Sequence, residues 1–178
     1  MNICNTPIPD LLLIDNFSSS DNRGNFIKTF NYEDFLNNNI DFQIKESYYS
    51  ISKKNVIRGM HFQLPPYDHK KIVYVTEGEI LDVIIDLRKK SPTYKRIFST
   101  ILSATNKKSI FIPRGCAHGF KSLKNNTITV YNVSSEYNYK SDTGIRYDSI
   151  MFDWDTINPI ISNRDNSFEP LENFNSPF

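Results

Sequence analysis

Cysteine is one of the residues that this chain has little of, and its scarcity limits the classes of protein that fit. Among 178 residues there are only two cysteines, Cys4 and Cys116, which lie far apart and without the paired spacing of metal ligands. Neither a disulfide framework nor a structural zinc site fits this pattern. The sequence therefore predicts a protein of a reducing compartment, with the cytoplasm as the expected location.

The chain also lacks an excess of charge and any long hydrophobic run. Its 21 basic and 20 acidic side chains give a formal net charge of +1, which provides no general attraction to nucleic acid or to an anionic membrane. No stretch approaches the roughly 18 uninterrupted apolar residues of a membrane span, and the N-terminus lacks the basic segment of a secretory signal. We therefore expect neither nucleic acid nor a membrane as a partner, and any phosphate binding must be local.

Histidine is scarce as well, with only His61, His69 and His118 in the chain. Because Phe62 and Gln63 follow His61, the closely spaced histidine pair of a metal site is missing, and no metal site is predicted. His69 follows two prolines and is predicted to be a solvated loop residue. A lone histidine is often only a buried side chain bonded to a backbone carbonyl, and that interpretation stays open for the other two.

What the chain does contain is enough apolar material for a core, arranged as a series of short strands. Hydrophobic residues make up 39% and aromatic residues 13% of the sequence, which is the composition of a globular protein, and its length predicts one domain over residues 1–178. Short β-branched or aromatic runs bounded by turn residues predict β-strands. These runs cover residues 11–14, 26–30, 46–52, 72–76, 80–87, 97–102, 109–112 and 127–133.

Helical patterns are few. Only residues 32–38, which Asn31 can cap, and a segment around 149–154 have helical character. An all-β chain with many short strands must protect the edges of its sheets, which a closed barrel or a double-sheet jelly roll achieves. We predict the jelly roll, with an irregular tail over residues 169–178.

Two arginine–glycine pairs indicate that the protein binds an anion. Arg23 precedes Gly24, and Arg58 precedes Gly59 shortly before His61. An arginine can form two hydrogen bonds to phosphate oxygens, and a glycine lets the backbone approach a ligand closely. The two arginines could therefore clamp a pyrophosphate, and the alternative is that each forms a surface salt bridge.

Several short motifs follow one another along most of the chain. They are DNRGNF (21–26), RGMHFQ (58–63), KKIV (70–73), GEILDVIIDLR (78–88), SPT (91–93), IPRGCAHGF (112–120), Tyr131, Tyr137, Trp154 and SNRD (162–165). In their order and spacing these motifs resemble the dTDP-4-dehydrorhamnose 3,5-epimerase family. Each motif alone is weakly specific, whereas the ordered set is specific.

The resemblance implies an all-β, cupin-type double-stranded β-helix, that is, a jelly roll with a few short helices, assembled as a homodimer. It implies an isomerase that inverts C3, C5 or both in a nucleotide-diphosphate-linked 4-keto-6-deoxy sugar, with no metal or organic cofactor. Such an enzyme serves the synthesis of sugars for surface polysaccharides, in capsule or lipopolysaccharide O-antigen. A ketone at C4 acidifies the hydrogens on C3 and C5, so a base can remove one, and reprotonation on the other face inverts the centre.

The resemblance also assigns roles to five residues of the site. His61 is the base, and Asp165 orients its ring and stabilises the imidazolium that forms. Lys71 stabilises negative charge on the C4 oxygen. Tyr131 delivers the new proton from the opposite side, at C5, and His118 lines the pocket and binds the substrate.

Other positions match the substrate-binding residues of the family, with five differences. The matching residues are Arg23, Phe26, Arg58 and Tyr137. Asp142 and Arg164 replace the usual glutamate and lysine and so preserve charge. Three further positions, where the family usually has Glu, Gln and Asn near the nucleotide, carry Lys28, Glu46 and Tyr48.

These three substitutions change the hydrogen-bonding pattern of the nucleotide end, and a mismatched polar site discriminates strongly between ligands. Glu46 can accept two hydrogen bonds from a guanine, which fits relatives that act on GDP-linked 4-keto-heptoses. The sequence leaves open the nucleotide, the length of the sugar and the carbon that is inverted. A non-catalytic sugar-nucleotide-binding cupin is an alternative, and a metal-dependent cupin enzyme would need clustered histidine and glutamate ligands.

Overall fold

The computed structural model describes residues 1–178, which form mainly antiparallel β-strands. In chain order the strands are β1 Asn2–Asn5, β2 Leu12–Asp15, β3 Phe17–Asp21, β4 Gly24–Lys28, β5 Glu46–Ser52, β6 Ile57–Gln63, β7 Lys71–Glu77, β8 Glu79–Asp86, β9 Ile97–Ser103, β10 Lys108–Ile112, β11 Cys116–Ser122, β12 Thr127–Val133 and β13 Asp142–Gly144. The helices are α1 Tyr32–Asn37 and α2 Asn163–Asn166, with a 3-10 turn at Tyr147–Ser149. None of the helices has the length and apolar character to cross a membrane.

The strands form two sheets and one separate hairpin. The first sheet has the order β1-β2-β10-β7-β12-β5, the second has the order β13-β6-β11-β8-β9, and β3 pairs only with β4. All pairings between these strands are antiparallel. Two facing antiparallel sheets built from strands distant in sequence form a jelly roll, which confirms the predicted fold class.

The main hydrophobic core lies between the two sheets. Val73 and Ile110 from the first sheet pack in one cluster with Ile84 and Phe120 from the second. Because side chains alternate along a strand, residues two positions away from these point into the same interior. Some of those positions carry polar residues instead, and they form the cavities described below.

Other parts of the chain pack on the outer faces of both sheets. Phe35 of α1 is fully buried and packs on Phe42 and Phe111 against the first sheet, and Asn31 caps α1 by accepting a hydrogen bond from the Asp34 N–H group. Residues of the C-terminal tail, among them Phe178, pack on the second sheet. The tail has no helix or strand, as predicted, but it is part of the packed structure.

The structure contains all eight predicted strands, with bounds that differ by at most two residues, and it contains the predicted helix that begins at residue 32. The predicted helix around residues 149–154 is wrong. Met151 and Asp155 have positive φ angles, 54° and 48°, which interrupt a right-handed helix. Only the 3-10 turn that ends at Ser149 is helical there. The sequence did not predict β1, β3, β6, β11, β13 or α2.

Close contact between β6 and β11 explains the glycines in these two strands. Gly59 has a φ of +135°, and a Cβ atom on it would lie 2.5 Å from the Cα of Gly119. The pairing of the strands shifts register at this point, and His61 lies directly opposite His118. A glycine in a strand often marks such a close approach of two backbones. Here it places both histidines side by side on the interior face.

Candidate active site

Two neighbouring cavities lie between the sheets. The larger has a volume of about 330 Å³ and the smaller about 270 Å³, and Tyr48, His61 and Lys71 line both. The larger cavity is also lined by Glu46, Phe62, Gln63, His69, Val133, Ser135, Tyr137, Asp142 and Arg164. The smaller cavity is also lined by Ser50, Arg58, His118, Phe120 and Tyr131.

His61 and Asp165 form a hydrogen-bonded pair at the boundary of these cavities. The ring Nε2 of His61 lies 2.9 Å from Asp165 Oδ1, although the two residues are 104 positions apart in sequence. A carboxylate can only accept, so Nε2 carries the hydrogen and Nδ1 keeps a free lone pair. The pair thus leaves Nδ1 as the basic nitrogen of the ring.

Asp165 is held in place by α2 and by β6. The Ser162 hydroxyl caps α2 by accepting a hydrogen bond from the Asp165 N–H group, and Asp165 Oδ2 accepts one from the N–H group of Gly59 at 3.1 Å. Burial alone raises the pKa of Asp165, but the hydrogen bonds from His61 and Gly59 outweigh it and hold the pKa below its ordinary value. The carboxylate therefore stays ionised beside the His61 ring.

Lys71, the first residue of β7, is 6% exposed and points into the interior. Its Nζ donates a hydrogen bond to the His61 carbonyl oxygen at 3.3 Å. Burial lowers the pKa of Lys71 to about 8, and the negative charges of Asp142 and Asp82 limit this decrease. The ammonium group is thus partly desolvated, and it has no carboxylate within salt-bridge distance to neutralise it.

Tyr131 lies on β12 and lines the smaller cavity. Its hydroxyl lies 3.3 Å from the Ser50 hydroxyl, and its ring is stacked on the ring of Tyr48 with centroids 4.9 Å apart. Burial raises the pKa of Tyr131 above its ordinary value, against a smaller opposing effect of the Ser50 hydrogen bond. The phenol therefore keeps its hydrogen and can act as a proton donor.

His118 forms a second histidine–aspartate pair. Its Nε2 lies 2.7 Å from Asp82 Oδ1, and both side chains are almost completely buried. His118 lines the smaller cavity, in the place where the sequence predicted a substrate-binding histidine. Asp82 was not predicted, because an aspartate in the middle of an apolar strand gives no signal of its distant partner.

Seven of the ten predicted substrate-binding residues line these cavities, Tyr48 and His118 among them. Arg58 lies at the smaller cavity, where its Nε donates to the Ser52 hydroxyl. At the larger cavity Arg164 Nη2 lies 2.6 Å from Asp142 Oδ2. Glu46 Oε2 accepts a hydrogen bond from the Tyr137 N–H group at 2.7 Å in the same cavity.

The remaining predicted residues, Arg23, Phe26 and Lys28, lie in or beside the β3–β4 hairpin and line neither cavity. Every residue from 17 to 28 is exposed. Arg23 contacts Asp21 of the same hairpin. Within one chain the structure does not bring Arg23 and Arg58 to a common site.

His69 corrects a sequence-based prediction. It is not a solvated loop residue, because its ring is half-buried and lines the larger cavity. Its Nδ1 lies 3.0 Å from Gln63 Nε2 and 3.3 Å from the Ser135 hydroxyl. Burial, with the charges of Lys71 and Arg114, lowers the pKa of His69 to about 3, so the ring is neutral. The two prolines before His69 correctly predicted a loop. They gave no indication that this loop folds against the cavity and forms part of its wall.

The structure contains no group of three or more histidine, cysteine, aspartate or glutamate side chains placed to hold a metal ion. The side chains around the two cavities are instead the histidine–aspartate pair, the buried lysine and the buried tyrosine. A jelly roll with this interior defines a cupin-type protein with groups suited to acid–base chemistry.

Comparison with known proteins assigns the family. The family model described as dTDP-4-dehydrorhamnose 3,5-epimerase matches residues 5–173. This chain belongs to the dTDP-4-dehydrorhamnose 3,5-epimerase family, and it is therefore an epimerase, an enzyme of the isomerase class.

Individual relatives agree over nearly the whole chain. The chain is 37% identical over 170 residues to the dTDP-4-dehydrorhamnose 3,5-epimerase of Shigella flexneri, with 93% of each protein covered. The crystal structure of the Bacillus anthracis enzyme, with TDP and PPi bound, gives a TM-score of 0.93 at 33% identity, covering 96% of this chain and 99% of that chain. The Legionella pneumophila enzyme, in complex with dTDP-4-keto-L-rhamnose, gives a TM-score of 0.92 at 31% identity, covering 98% and 94%. These similarities confirm the cupin-type jelly roll.

Proposed function

We propose that this enzyme, acting as one domain over residues 1–178, inverts C3, C5 or both in a nucleotide-diphosphate-linked 4-keto-6-deoxy sugar. The observation that carries the proposal is the 2.9 Å contact between His61 Nε2 and Asp165 Oδ1 beside the buried Lys71. With Tyr131, the site holds a base, a positive charge and an acid, which are the groups needed to move a proton from one face of a carbon to the other.

In the first step the Nδ1 atom of His61 takes a proton from C3 or C5 of the sugar. The electron pair of the broken C–H bond moves into the C4 carbonyl and leaves an enolate with its charge on the oxygen. The hydrogen bond from Nε2 to Asp165 stabilises the imidazolium that forms. In this pair His61 is therefore the base, and Asp165 stabilises the charged form of His61.

In the second step Lys71 and Tyr131 complete the inversion. The Lys71 ammonium stabilises the C4 oxyanion, and its burial strengthens that interaction relative to water. Tyr131 then delivers a proton from the face opposite His61, most directly at C5. Arg58, His118 and the residues Tyr137, Asp142 and Arg164 of the larger cavity are proposed to bind the rest of the substrate.

Two nucleotides are candidates for the substrate. The names of the relatives support a dTDP-linked hexose, since the Legionella pneumophila enzyme was solved with dTDP-4-keto-L-rhamnose. A GDP-linked sugar, such as a heptose, is favoured by Glu46, whose Oε1 atom makes no hydrogen bond within the protein, while Oε2 accepts from the Tyr137 N–H group. Either product would serve the synthesis of a surface polysaccharide, in capsule or lipopolysaccharide.

Proton NMR in D₂O tests the proposed reaction. The enzyme is mixed separately with dTDP-linked and GDP-linked 4-keto-6-deoxy sugars, and deuterium at C3 and C5 is followed with time. We expect deuterium to enter at one or both carbons together with inversion, because each abstraction exchanges one proton with solvent. Binding of every tested sugar nucleotide without any exchange would contradict the proposal and favour a non-catalytic binding cupin.

The proposal for guanosine predicts a change of preference in the Glu46→Gln variant. Guanine presents two N–H donors, which a carboxylate accepts and an amide only partly accepts. We expect the preference for GDP-linked over dTDP-linked substrate to fall by about tenfold or more, as for loss of a charged hydrogen bond. The measurement is competition between the two substrates in one reaction. Glutamine keeps the size of the side chain and an acceptor for Tyr137, so an unchanged ratio would contradict a contact between Glu46 and the base.

We also propose a homodimer, on the basis of two exposed surfaces. The β3–β4 hairpin pairs with no other strand and exposes Phe17 and Phe26, the latter 57% exposed. Strand β5 is an edge of the first sheet and exposes Tyr49 and Ile51, at 65% and 57%. An unpaired sheet edge with apolar side chains favours pairing with another chain. In the proposed dimer the hairpin of one chain covers β5 of the other.

This arrangement would bring Arg23, Phe26 and Lys28 to the cavity of the second subunit, and mixing two variants tests it. We expect Arg23→Ala and His61→Asn each to be inactive as homodimers. After dissociation and random reassociation, about a quarter of the sites are expected to be intact, because each mixed dimer has one site with both native residues. Activity near that level would support the proposal. If Arg23 served its own chain, no mixing ratio would restore activity.

A further inference from the structure

Tyr48 forms an aromatic stack with the proposed acid of the reaction. Tyr48 on β5 and Tyr131 on β12 are directly opposite each other in the antiparallel pairing. Their ring centroids are 4.9 Å apart, and the ring planes differ by 20°. Opposite residues of neighbouring strands come close enough for such contacts. The sequence predicted Tyr48 as a residue of the nucleotide end, whereas the structure gives its ring a protein partner.

The same strand also holds the hydroxyl of Tyr131. Ser50 lies two residues after Tyr48 and therefore on the same face of β5, and its hydroxyl lies 3.3 Å from that of Tyr131. From the facing sheet, the ring of His118 meets the Tyr131 ring at 68° with centroids 6.2 Å apart. The plane of the Tyr131 ring is thus set by Tyr48, and its oxygen is set by Ser50.

We propose that Tyr48 is a positioning residue that holds the Tyr131 ring where its hydroxyl can protonate the enolate on the face opposite His61. This inference rests on the proposed function. A proton donor must stay within hydrogen-bond reach of the carbon that it protonates. If the ring turns away, the imidazolium of His61, whose proton exchanges with solvent, protonates the carbon on the original face instead. Tyr48 therefore determines the partition between inversion and return.

The proton balance of this step is complete within the site. His61 gains the proton that leaves the substrate carbon, and Tyr131 loses the one that the same carbon receives, and both are reset by exchange with water. Burial raises the pKa of Tyr131, and partial burial of Tyr48, with the charges of Glu46 and Asp142, raises its pKa to about 12. Both phenols are therefore neutral before the reaction.

The hydroxyl of Tyr48 makes no hydrogen bond within the protein, so its aromatic ring carries the proposed effect. This allows a matched pair of variants, since Tyr48→Phe keeps the stack and Tyr48→Leu removes it. In D₂O, return is measured as deuterium in recovered substrate and inversion as deuterium in the epimer. For Tyr48→Leu we expect the ratio of return to inversion to rise by about tenfold, the scale of one aromatic pair. Tyr48→Phe is expected to keep the ratio of the native enzyme.

Three outcomes would overturn the proposal. If both rates fall together in Tyr48→Leu with an unchanged ratio, the residue has only a structural role. If the ratio is unchanged but the affinity for the nucleoside diphosphate falls, Tyr48 serves the nucleotide. If Tyr48→Phe changes the ratio as much as Tyr48→Leu, the hydroxyl and not the stack is responsible.

A second measurement tests the positioning role of Tyr48 independently of the proposed reaction. If the native enzyme shows no exchange with any sugar, the proposed function has failed, and the stack is tested without substrate. NMR of ¹³C-labelled tyrosine reports how fast the Tyr131 ring flips. We expect slow flipping in the native enzyme and in Tyr48→Phe, and flipping faster by up to about tenfold in Tyr48→Leu. Equal flipping rates in all three proteins would overturn the positioning role of Tyr48.

Discussion

Replacing His61 with asparagine is expected to slow deuterium exchange at C3 and C5 by about a thousandfold or more, within the range of a lost general base. The asparagine amide can still donate to Asp165, but it has no basic nitrogen to accept a proton from carbon. Both carbons are expected to lose exchange together, because the single Nδ1 atom serves both. The measurement is the NMR time course in D₂O with the substrate that the native enzyme prefers.

Two comparisons make this result specific to proton abstraction. The affinity of His61→Asn for the nucleoside diphosphate is expected to stay within about threefold of the native value, since the effect lies in a chemical step and not in uniform binding. Asp165→Asn is expected to be severe as well, with a loss of up to about 10⁴-fold, because its amide can donate to Nε2 and so favours the tautomer in which Nδ1 carries the hydrogen. Exchange in His61→Asn above a tenth of the native rate would show that another group is the base.

Replacing Lys71 with methionine is expected to lower kcat by about a hundredfold or more, comparable to the loss of one oxyanion-stabilising group. Methionine has a similar length and no charge, so it removes the positive charge near the C4 oxygen without opening a large space. Because the charge acts on the enolate and not on the bound ketone, KM is expected to change much less than kcat. A higher KM with an unchanged kcat would mean that Lys71 contributes to substrate binding alone.

The pH dependence of kcat is an independent test of the role of Lys71. Lys71 has a pKa of about 8, and its charged form predominates below that pH. The kcat of the native enzyme is therefore expected to fall as the pH rises through about 8, because the ammonium group loses its proton. In Lys71→Met this alkaline decrease is expected to disappear from the residual activity. A decrease that persists in the variant would belong to another group.

Stability is expected to change in the opposite direction to activity. The unfolded chain binds the Lys71 proton with the ordinary pKa of 10.5 and the folded chain with a pKa of about 8. Burial of the charge thus penalises the folded state below pH 8, and stability rises with pH between these two values. At pH 7 the free energy of unfolding of Lys71→Met is expected to increase, by on the order of 3 kcal/mol. Urea unfolding measures the free energy of unfolding. If Lys71→Met were less stable than the native enzyme, its lost activity would be explained by misfolding instead.

The sequence predicted the strands whose pattern is unbroken. Strands β5 and β12 have the predicted bounds, because their β-branched and aromatic residues continue from one turn signal to the next. Strands β6 and β11 were missed although they carry His61 and His118. Gly59 and Gly119 weaken the local strand pattern, and the contact that requires these glycines forms only when the two strands pair.

The chemistry of the site was partly readable from the sequence as well. Resemblance to a family selected His61, Lys71, Tyr131 and Asp165. The structure brings the first three to the two neighbouring cavities and hydrogen-bonds Asp165 to His61. The pattern of the chain alone could not have paired His61 with Asp165, which comes from a four-residue helix near the C-terminus. Hydrophobic periodicity reports the burial of a segment but not its distant neighbours.

The sequence by itself determined the all-β jelly roll, the family and the residue types available for acid–base chemistry, because these depend on local pattern and on ordered motifs. Only the tertiary structure decided which side chains meet. It paired His118 with Asp82, placed His69 in a cavity wall and stacked Tyr48 on Tyr131. These contacts depend on strand register and on the packing of two sheets, in which a shift of one residue turns every side chain to the other face.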